Sequence, residues 1–436
     1  MTKQFARYES YKDSGVAWLG QIPISWELLS NKHLFIIKKN VVGKLSANYD
    51  LLSLTLHGVI KRDMENPQGK FPAEFNTYQK VNNNDFIFCL FDVEETPRTV
   101  GLSKFNGMIT GAYTVMSIQK NKYNNEYFYY FYLNIDAAKM MKPLYTGLRN
   151  TIQKETFMSF KSVVPSVEEQ QKIADFLDKK TAQIDEAIAQ KEKMIELLKE
   201  YRQITINNAV TKGLDPDVLM KDSGIEWLGQ ILAHWEIKKL KFILTEKLKY
   251  GANESGIDYS EKLPRYIRIT DFGNNGKLSD VNKLSLPTHI ANDYLLKDGD
   301  ILFARSGGTV GKSYQFRNNI SYDESYCFAG YLIKASANEQ IILSDFLYLY
   351  TNSPLFYLWK DFIFNKATIE NIGADKYAQL PVIIPPIEEQ TKILEVFKEL
   401  NDKIEASIIC KQQEIEKLKE YKATLIDSAV TGKIKV

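Results

Sequence analysis

The amino-acid sequence predicts an α+β protein: two domains with mixed or antiparallel β-sheets plus helices, separated by two long antiparallel coiled-coil helices and related by an internal pseudo-two-fold repeat. Three observations predict this fold: a short segment that occurs twice, a helical segment that occurs twice, and two dissimilar stretches between them. The length agrees with at least two domains, because the chain has 436 residues and a single hydrophobic core usually stops growing near ~250.

The first repeated segment, which we call the head, contains two tryptophans. Residues 12–27 read KDSGVAWLGQIPISWE, and residues 221–236 read KDSGIEWLGQILAHWE. The alignment has no gap and pairs Trp18 with Trp227 and Trp26 with Trp235. Such a match indicates an internal duplication, so the two halves of the chain are expected to share a structural frame.

The second repeated segment, the tail, reads as one long amphipathic helix in each copy. The copies begin at Pro165 and Pro385, and each helix would span ~43 residues, or ~65 Å. Acidic residues in the first turn suit the helix dipole: Glu168, Glu169, Glu388 and Glu389. Apolar residues recur at steps of three, four or seven: Leu177, Ile184, Ile188, Ile195 and Leu198, and then Ile393, Phe397, Ile404, Ile408, Ile415 and Leu418.

An apolar seam of that length would face water if each tail were alone on the surface. We therefore expect the two tails to pair with each other in antiparallel orientation. Two separate surface helices remain the alternative.

The stretches between heads and tails, residues 28–164 and 237–384, are dissimilar. Short runs rich in β-formers are separated by Gly, Asn and Asp, which favours a mostly antiparallel sheet. The predicted strands are Asp85–Leu90, Tyr113–Ile118, Asp300–Ala304 and Tyr331–Ile333, and the predicted helices are Asn125–Leu133 and Leu343–Tyr350.

Composition narrows the class of protein. Hydrophobic residues at 44% and charged residues at 25% are typical of a globular protein. The net charge of +2 favours no class of partner. No apolar run approaches the ~20 residues that span a bilayer, so a cytoplasmic location is expected. The three cysteines, Cys89, Cys327 and Cys410, lack metal-ligand spacing and are expected to be buried and unpaired.

The sequence contains no convincing catalytic motif. Gly307–Ser313 (GGTVGKS) resembles a phosphate-binding loop, but Ser306 stands where that loop needs its first glycine. The first copy has Leu102 in place of Lys312. The four histidines, His33, His57, His234 and His289, have no ligand spacing, so neither a metal nor a catalytic site is predicted.

The order of head, variable stretch and tail, written twice, resembles the specificity subunit of type I restriction-modification systems over essentially the whole chain. The motifs that carry the resemblance are DSGVAWLGQIPISWE in the head, LLSLTLHGVIKRD from Leu51, DGDILFARSGGTVGKSYQF from Asp298, YCFAGYLIK from Tyr326, and the PPIEEQ opening of the tail at Pro385. The first tail departs slightly, with Ser166 where the second has Pro386.

The resemblance implies a non-catalytic, DNA-binding subunit. Two target-recognition domains would each read one half of a bipartite DNA site, and the helices would set the spacer. The repeats would dock two methyltransferase subunits and, through them, restriction subunits. This chain would bind no cofactor, because S-adenosylmethionine, ATP and Mg are expected on the partner subunits.

The predicted domains follow the repeats: head repeat 1 at 1–27, target-recognition domain 1 at 28–164, long helix 1 at 165–211, linker and head repeat 2 at 212–236, target-recognition domain 2 at 237–384, and long helix 2 at 385–436. Two other classes compete with this interpretation. A scaffold protein would bind protein through the middles, whereas a fused enzyme would need a methyltransferase domain for which the chain leaves no room.

Candidate DNA-binding residues are basic side chains in turn-rich or glycine-rich segments, since arginine is the commonest bidentate reader of guanine: Lys61, Arg62, Arg98, Lys104, Arg149, Arg265, Arg268, Arg305, Lys312 and Lys366. For each, a solvated surface charge is the alternative. Candidate docking residues are Trp18, Trp26, Trp227, Trp235, Lys193, Lys199, Lys411 and Lys417. For each tryptophan pair, core and interface remain open.

Overall fold

The computed structural model describes residues 5–65, 74–96, 98–119, 122–215, 217–273, 276–320, 322–364 and 371–436. The chain folds into two compact units. Unit 1 comprises residues 1–192 and 412–436, and unit 2 comprises residues 193–411. Each unit therefore contains one head, one middle and a part of both tails.

Unit 1 is built from short strands, two helices and a part of each of the two long helices. Its elements are β1 (Tyr11–Asp13), β2 (Gln21–Pro23), β3 (Glu27–Ser30), β4 (Phe35–Ile37), β5 (Leu52–Thr55), β6 (Gly58–Lys61), β7 (Gln79–Val81), β8 (Phe86–Phe88), β9 (Val100–Leu102), β10 (Gly107–Ile109), β11 (Thr114–Ile118), α1 (Asn125–Ala137), α2 (Lys154–Ser159), β12 (Lys161–Val164) and α3 (Val167–Thr211), which continues into unit 2.

The main sheet of unit 1 is antiparallel, with strand order β4-β11-β8-β9. Helix α1 lies against it and supplies buried aromatic rings, including Tyr127, Phe128 and Tyr132. A separate antiparallel pair, β3 with β12, joins the end of the head to the residues just before α3. This strand pair therefore connects the end of the head to the start of α3 through backbone hydrogen bonds.

Unit 2 repeats this plan with additional strands. Its elements are β13 (Met220–Asp222), β14 (Gln230–Leu232), β15 (Glu236–Lys239), β16 (Lys249–Tyr250), β17 (Ile257–Asp258), β18 (Arg265–Ile267), β19 (Leu284–Ser285), α4 (Thr288–Ala291), β20 (Ile301–Ala304), β21 (Ser313–Gln315), β22 (Tyr326–Phe328), β23 (Leu332–Ala335), α5 (Ser344–Thr351), α6 (Pro354–Phe364), α7 (Ala374–Tyr377), β24 (Pro381–Ile384) and α8 (Ile387–Val430), whose last part belongs to unit 1.

Unit 2 has two four-stranded sheets. The antiparallel sheet β16-β23-β20-β21 corresponds to the main sheet of unit 1, and the pair β15–β24 corresponds to β3–β12. The second sheet, β17-β19-β18-β22, is mixed because β18 and β22 run parallel. The predicted α+β class is confirmed, and the predicted strands and short helices occur with shifted ends.

The two tails form single helices, as predicted: α3 has 45 residues and α8 has 44. Most seam positions are buried, among them Leu177, Ile184, Ile195, Ile393, Ile404, Ile408 and Ile415. In unit 1, Lys422 pairs with Asp185 (2.6 Å) and Lys191 with Glu414 (2.5 Å). The order of these partners shows that the helices run antiparallel there, which rules out two separate surface helices.

The cysteine prediction is correct at two positions and wrong at the third. Cys89 and Cys327 are buried, whereas Cys410 is exposed. Burial raises the pKa of the Cys327 thiol to about 12, so it stays protonated at neutral pH. Cys410 lies on the solvent-facing side of α8 because the apolar seam occupies the opposite side, at Ile408 and Ile415.

Candidate nucleic-acid interface

The second tryptophan of each head is an anchor on the adjacent long helix. Trp26 is fully buried and its Nε1–H donates to Glu169 Oε2 at 2.9 Å; Trp235 is fully buried and donates to Glu389 Oε2 at 2.8 Å. A buried N–H needs a partner, and the first-turn carboxylate supplies it. For this pair of tryptophans, the core alternative describes the structure and the interface alternative does not.

The glutamine that follows each of these glutamates joins the helix to the middle. Gln170 Nε2 donates to the carbonyl of Pro165 (2.9 Å), and Gln170 Oε1 accepts from the amide of Asn124 (2.8 Å). Gln390 repeats both bonds, with Pro385 (2.8 Å) and Leu343 (2.8 Å). The sequence analysis missed these roles, although the Glu-Glu-Gln triplet stands at the same place in both tails.

The first tryptophan of each head is less deeply placed. Trp18 is half-buried and stacks on Phe160, with ring centroids 5.9 Å apart and planes 4° from parallel. Trp227 is half-buried against the core of unit 2. Both rings therefore keep an accessible edge after packing in their own units, so docking by Trp18 and Trp227 stays a prediction.

The candidate docking lysines lie on the long helices. Lys193 is exposed and bonds Glu196 at 2.9 Å, a contact that raises the pKa of Lys193 and lowers that of Glu196. Lys199 and Lys417 are exposed, and Lys411 is half-buried. Lys193, Lys199 and Lys417 are therefore open to solvent, whereas Lys411 is partly covered, and docking by these lysines stays a prediction.

The candidate DNA-binding side chains of unit 1 differ in how firmly they are held. Arg149 makes two bonds to Asp92 (3.2 and 2.8 Å) yet remains 76% exposed. Lys61 pairs with Asp50 at 2.6 Å and lies 5.5 Å from the ring centroid of Phe105, which brings it to the turn that contains the exposed Lys104.

The other two candidates of unit 1 are half-buried. Arg98 Nη1 donates to the Tyr129 hydroxyl at 3.4 Å. Arg62 follows β6, and its amide donates to the carbonyl of Leu51 at 2.8 Å. The structure thus places Lys61 and Lys104 at one surface, while it gives no contact that joins Arg98 or Arg149 to them.

Arg265 in unit 2 is held by acids inside the fold. Its side chain is only 4% exposed, and Nη1 lies 3.2 Å from Asp280 and 3.4 Å from Asp323. A buried arginine with two carboxylates cannot reach a base edge without losing both partners. Arg265 is therefore part of the scaffold of the mixed sheet and not of an open reading surface.

Arg268 and Lys312 also have partners in unit 2. Arg268 makes two bonds to Asp271 (3.1 and 2.9 Å) and one to the carbonyl of Asn282 (2.8 Å). Lys312 donates to the carbonyl of Phe272 at 3.1 Å, so the lysine of the phosphate-loop-like motif is already engaged. Lys366 lies outside the described residues.

Arg305 has a different environment. It follows β20 directly, is half-buried, and its guanidinium carbon lies 5.0 Å from the ring centroid of Tyr250. No ion pair to a described residue holds it. The cationic group of Arg305 therefore lies beside an aromatic ring and is not neutralised by a described acid. Lys312 also lies near a ring, 6.0 Å from the centroid of Phe272, but its ammonium group already donates to the Phe272 carbonyl.

Two further properties limit the chemistry of the described part of the chain. It contains no group of three or more His, Cys, Asp or Glu side chains placed to hold a metal ion. None of its helices is both long enough and apolar enough to cross a membrane. What the described surface does offer is basic side chains beside turns, the groups with which proteins contact nucleic-acid backbones and base edges.

Comparison with known proteins gives a consistent result. The family model for the type I restriction modification DNA specificity domain matches residues 64–197 and 234–417. The MjaVIII specificity subunit of Methanocaldococcus jannaschii is 26% identical over 379 residues, which is 84% of this chain and 83% of that protein. The EcoKI specificity subunit of Escherichia coli is 27% identical over 268 residues, 58% of this chain and 53% of that protein.

Solved structures share the fold. A chain from a type I R-M system, from work on its complex assembly and conformational transition, superposes with a TM-score of 0.67 at 13% identity, covering 94% of this chain and 98% of that one. The HsdS subunit from Thermoanaerobacter tengcongensis gives 0.50 at 14% identity, covering 95% and 98%. Since the family model covers more than half of the sequence in two separate matches, one in each repeat, the chain belongs to the family of type I restriction-modification DNA specificity subunits.

Proposed function

We propose that this chain is the non-catalytic DNA-reading subunit of a type I restriction-modification complex, in which each unit reads one half of a bipartite site. The observation that carries the proposal is the duplicated anchor. The same tryptophan–glutamate bonds fix both heads to the long helices, and the same amide–glutamine bonds fix both middles to them, although the middles are dissimilar. Because the same bonds hold two dissimilar middles, the two middles could read two different half-sites.

The long helices would set the spacer between the half-sites. Each helix is continuous from one unit into the other, and each has a buried apolar seam that resists bending. Paired helices change length only in steps of whole turns without disturbing the seam. The number of residues in the pair would therefore determine the distance over which no base is read.

The repeats would dock two methyltransferase subunits, and restriction subunits would join through them. Support comes from apolar groups that the helices leave exposed in unit 2. A groove of about 240 Å³ lies between α3 and α8 there, and Tyr201, Ile204 and Val396 are exposed among the residues that line it. A cluster of exposed apolar side chains often marks a site where another protein binds.

The partners would bring the chemistry. Methylation would need S-adenosylmethionine, and restriction with translocation would need ATP and Mg. We expect the partner subunits to bind all three. Within this chain, the proposed contributions are binding and orientation: the reading residues would place a target base within reach of the docked methyltransferase.

The direct test is an exchange of one middle. Residues 237–384 would be replaced by the corresponding segment of a relative, the hybrid would be expressed with the methyltransferase subunit, and methylated sites would be mapped by sequencing the host genome. We expect one half-site to change while the other half-site and the spacer stay the same. A change in both half-sites, or in neither, would contradict the proposal.

A further inference from the structure

Arg305 stands where the chain leaves the main sheet of unit 2, and its backbone is fixed on both sides. Its amide donates to the carbonyl of Tyr331 (3.1 Å), and its carbonyl accepts from the amide of Ile372 (2.9 Å). The Tyr250 ring beneath its guanidinium is fixed as well, because the Tyr250 hydroxyl accepts from the amide of Ala374 at 2.9 Å. Hydrogen bonds therefore hold both the backbone of Arg305 and the ring beside its guanidinium in place.

The hydrogen-bonding capacity of this arginine is not used by the described residues around it. Arg305 Nε is buried and has no partner among them, and the same is true of Oδ1 of Asn371, whose backbone bridges to Ser306. Arg265, Arg268 and Arg317 of the same unit each bind carboxylates. A buried N–H without a partner costs stability, which suggests that a ligand completes the site.

The turn after Arg305 is open to a ligand. Gly307 has φ +76°, a conformation that favours glycine, whereas Gly308 has an ordinary φ. A Cβ built on Gly308 would have no atom within 4 Å, and the residue is exposed. The fold itself therefore has room for a side chain at position 308. A nucleic-acid backbone that approached the turn closely would fill that room, so close approach would require glycine.

Unit 1 lacks this arrangement at the matching place. Leu90 aligns with Arg305 when Asp85–Leu90 is matched to Asp300–Arg305, and Leu90 is buried. The next segment, Thr99–Ser103, matches Thr309–Ser313, but Arg98 stands where unit 2 has Gly308. The combination of an arginine, a supporting ring and a glycine turn belongs to unit 2.

We propose that Arg305, positioned by Tyr250, reads a guanine in the half-site of unit 2, and that Gly307–Gly308 lies against the sugar-phosphate backbone beside it. The inference rests on the proposed function, because it needs unit 2 to bind DNA. A guanidinium is planar, and two of its donors can pair with O6 and N7 of guanine. The Tyr250 ring, whose centroid is 5.0 Å from the guanidinium carbon, would restrict the orientations that the side chain can take.

The test uses the full chain assembled with its methyltransferase subunit, and it measures sequence preference by mapping methylated genomic sites and by binding to DNA libraries randomised in one half-site. Arg305→Ala should remove the preference for guanine at one position of the unit 2 half-site and weaken binding to the original site by about 5- to 150-fold. Arg305→Lys keeps the charge and should lose the same preference. The unit 1 half-site serves as the internal control and should not change.

Two variants test the supporting residues. Tyr250→Leu should weaken the same base preference partially, without creating a new one. Gly308→Ala should leave the thermal unfolding midpoint unchanged and weaken binding to all sequences alike, because the added methyl group would meet the DNA backbone and nothing in the fold.

The outcomes separate this inference from the proposed function. If Arg305→Ala and Arg305→Lys both retain every base preference, Arg305 is not a reading residue, although bipartite recognition by the wild-type chain would still stand. Uniform weakening with a smaller salt dependence would assign Arg305→Ala to a phosphate contact and overturn base reading. Failure of the wild-type complex to bind a bipartite site would overturn the proposed function itself.

Discussion

Unit 1 and unit 2 share the hydrogen bond that joins the head to a long helix, but they differ in the side chains around that bond. In both, a buried tryptophan donates to the second glutamate of a long helix, but the other oxygen of that glutamate has different partners. Tyr8 donates to Glu169 Oε1 at 2.5 Å in unit 1, whereas His234 Nε2 lies 2.7 Å from Glu389 Oε1 in unit 2. The comparison shows that the hydrogen-bond geometry of the anchor persists while the side chains around it vary.

The units also differ in how the tail meets the head. In unit 2, Gly213 follows α3, packs on the Trp235 ring and leads along the chain into the head. In unit 1, Gly432 follows α8, packs on Trp26 as Gly213 packs on Trp235, and its carbonyl accepts a hydrogen bond from the Tyr11 hydroxyl at 3.2 Å. The same junction is therefore covalent in one unit and formed by packing and hydrogen bonds in the other.

The largest effect should come from removing either anchor. Trp26→Ala or Trp235→Ala removes a fully buried indole, so each should lower the free energy of unfolding of its own unit by about 3 to 5 kcal/mol. Urea unfolding followed by a probe in each unit measures this. The matched controls, Trp26→Phe and Trp235→Phe, keep most of the ring but leave Glu169 or Glu389 without the indole donor, and should cost less. A large loss at one anchor and none at the other would show that the two are not equivalent.

A smaller effect is expected at the proposed docking surface. Charge reversal at Lys193, Lys199, Lys411 and Lys417 should weaken capture of the methyltransferase subunit by about tenfold at low salt, without changing the unfolding midpoint. Lys262→Glu, in the middle of unit 2, is the matched control and should have no effect on capture. Native mass spectrometry should show two methyltransferase copies per wild-type chain; a single copy at saturation would contradict symmetric docking.

The smallest effect is a difference in acid sensitivity. Among the described residues, the carboxyls whose pKa is lowered lie in unit 2, and the Asp323 side chain among them is only 7% exposed. Burial alone would raise the pKa of Asp323, but hydrogen bonds from Tyr259 and Tyr326 and the charges of Lys283 and Arg265 hold it below its usual range. In unit 1, desolvation raises the pKa of Glu126.

The signs of these shifts are opposite. A carboxyl with a lowered pKa stabilises the fold above its unfolded value, ~3.9 for Asp, and loses that contribution as the pH falls through the folded value. A carboxyl with a raised pKa destabilises the fold at neutral pH, and acid relieves the cost. Below about pH 4, unit 2 should therefore lose stability faster than unit 1, and Asp323→Asn should reduce the difference. Equal acid sensitivity of the two units, measured by thermal unfolding from pH 3 to 7, would contradict this account.

How much the sequence could predict depended on the range of the interactions involved. The long helices were predictable because their apolar period is local and continues from Leu177 to Leu198 in α3 and from Ile393 to Leu418 in α8. The parallel pairing of β18 with β22 was not, because nothing near Arg265 or Tyr326 indicates which distant strand lies beside it. The roles of Gln170 and Gln390 depend on carbonyls and amides that only the tertiary fold brings near.

The candidate site shows the same limit. Arg265 and Arg305 both adjoin short strands in β-rich sequence, so local context treated them alike. Acids remote in sequence, Asp280 and Asp323, neutralise the first, whereas the ring of Tyr250 supports the second. A side chain's availability to a ligand is set by its neighbours in space, and a single sequence does not reveal these.

The central claim is that the paired long helices set the spacer between two half-sites. The most direct test is to shorten both helices. Two turns, about seven residues, would be deleted around Lys191 in α3 and again around Glu414 in α8, where the helices pair with each other, and methylated genomic sites would be mapped before and after. The account predicts a shorter spacer between two unchanged half-sites. An unchanged spacer, with both half-sites still recognised, would contradict it.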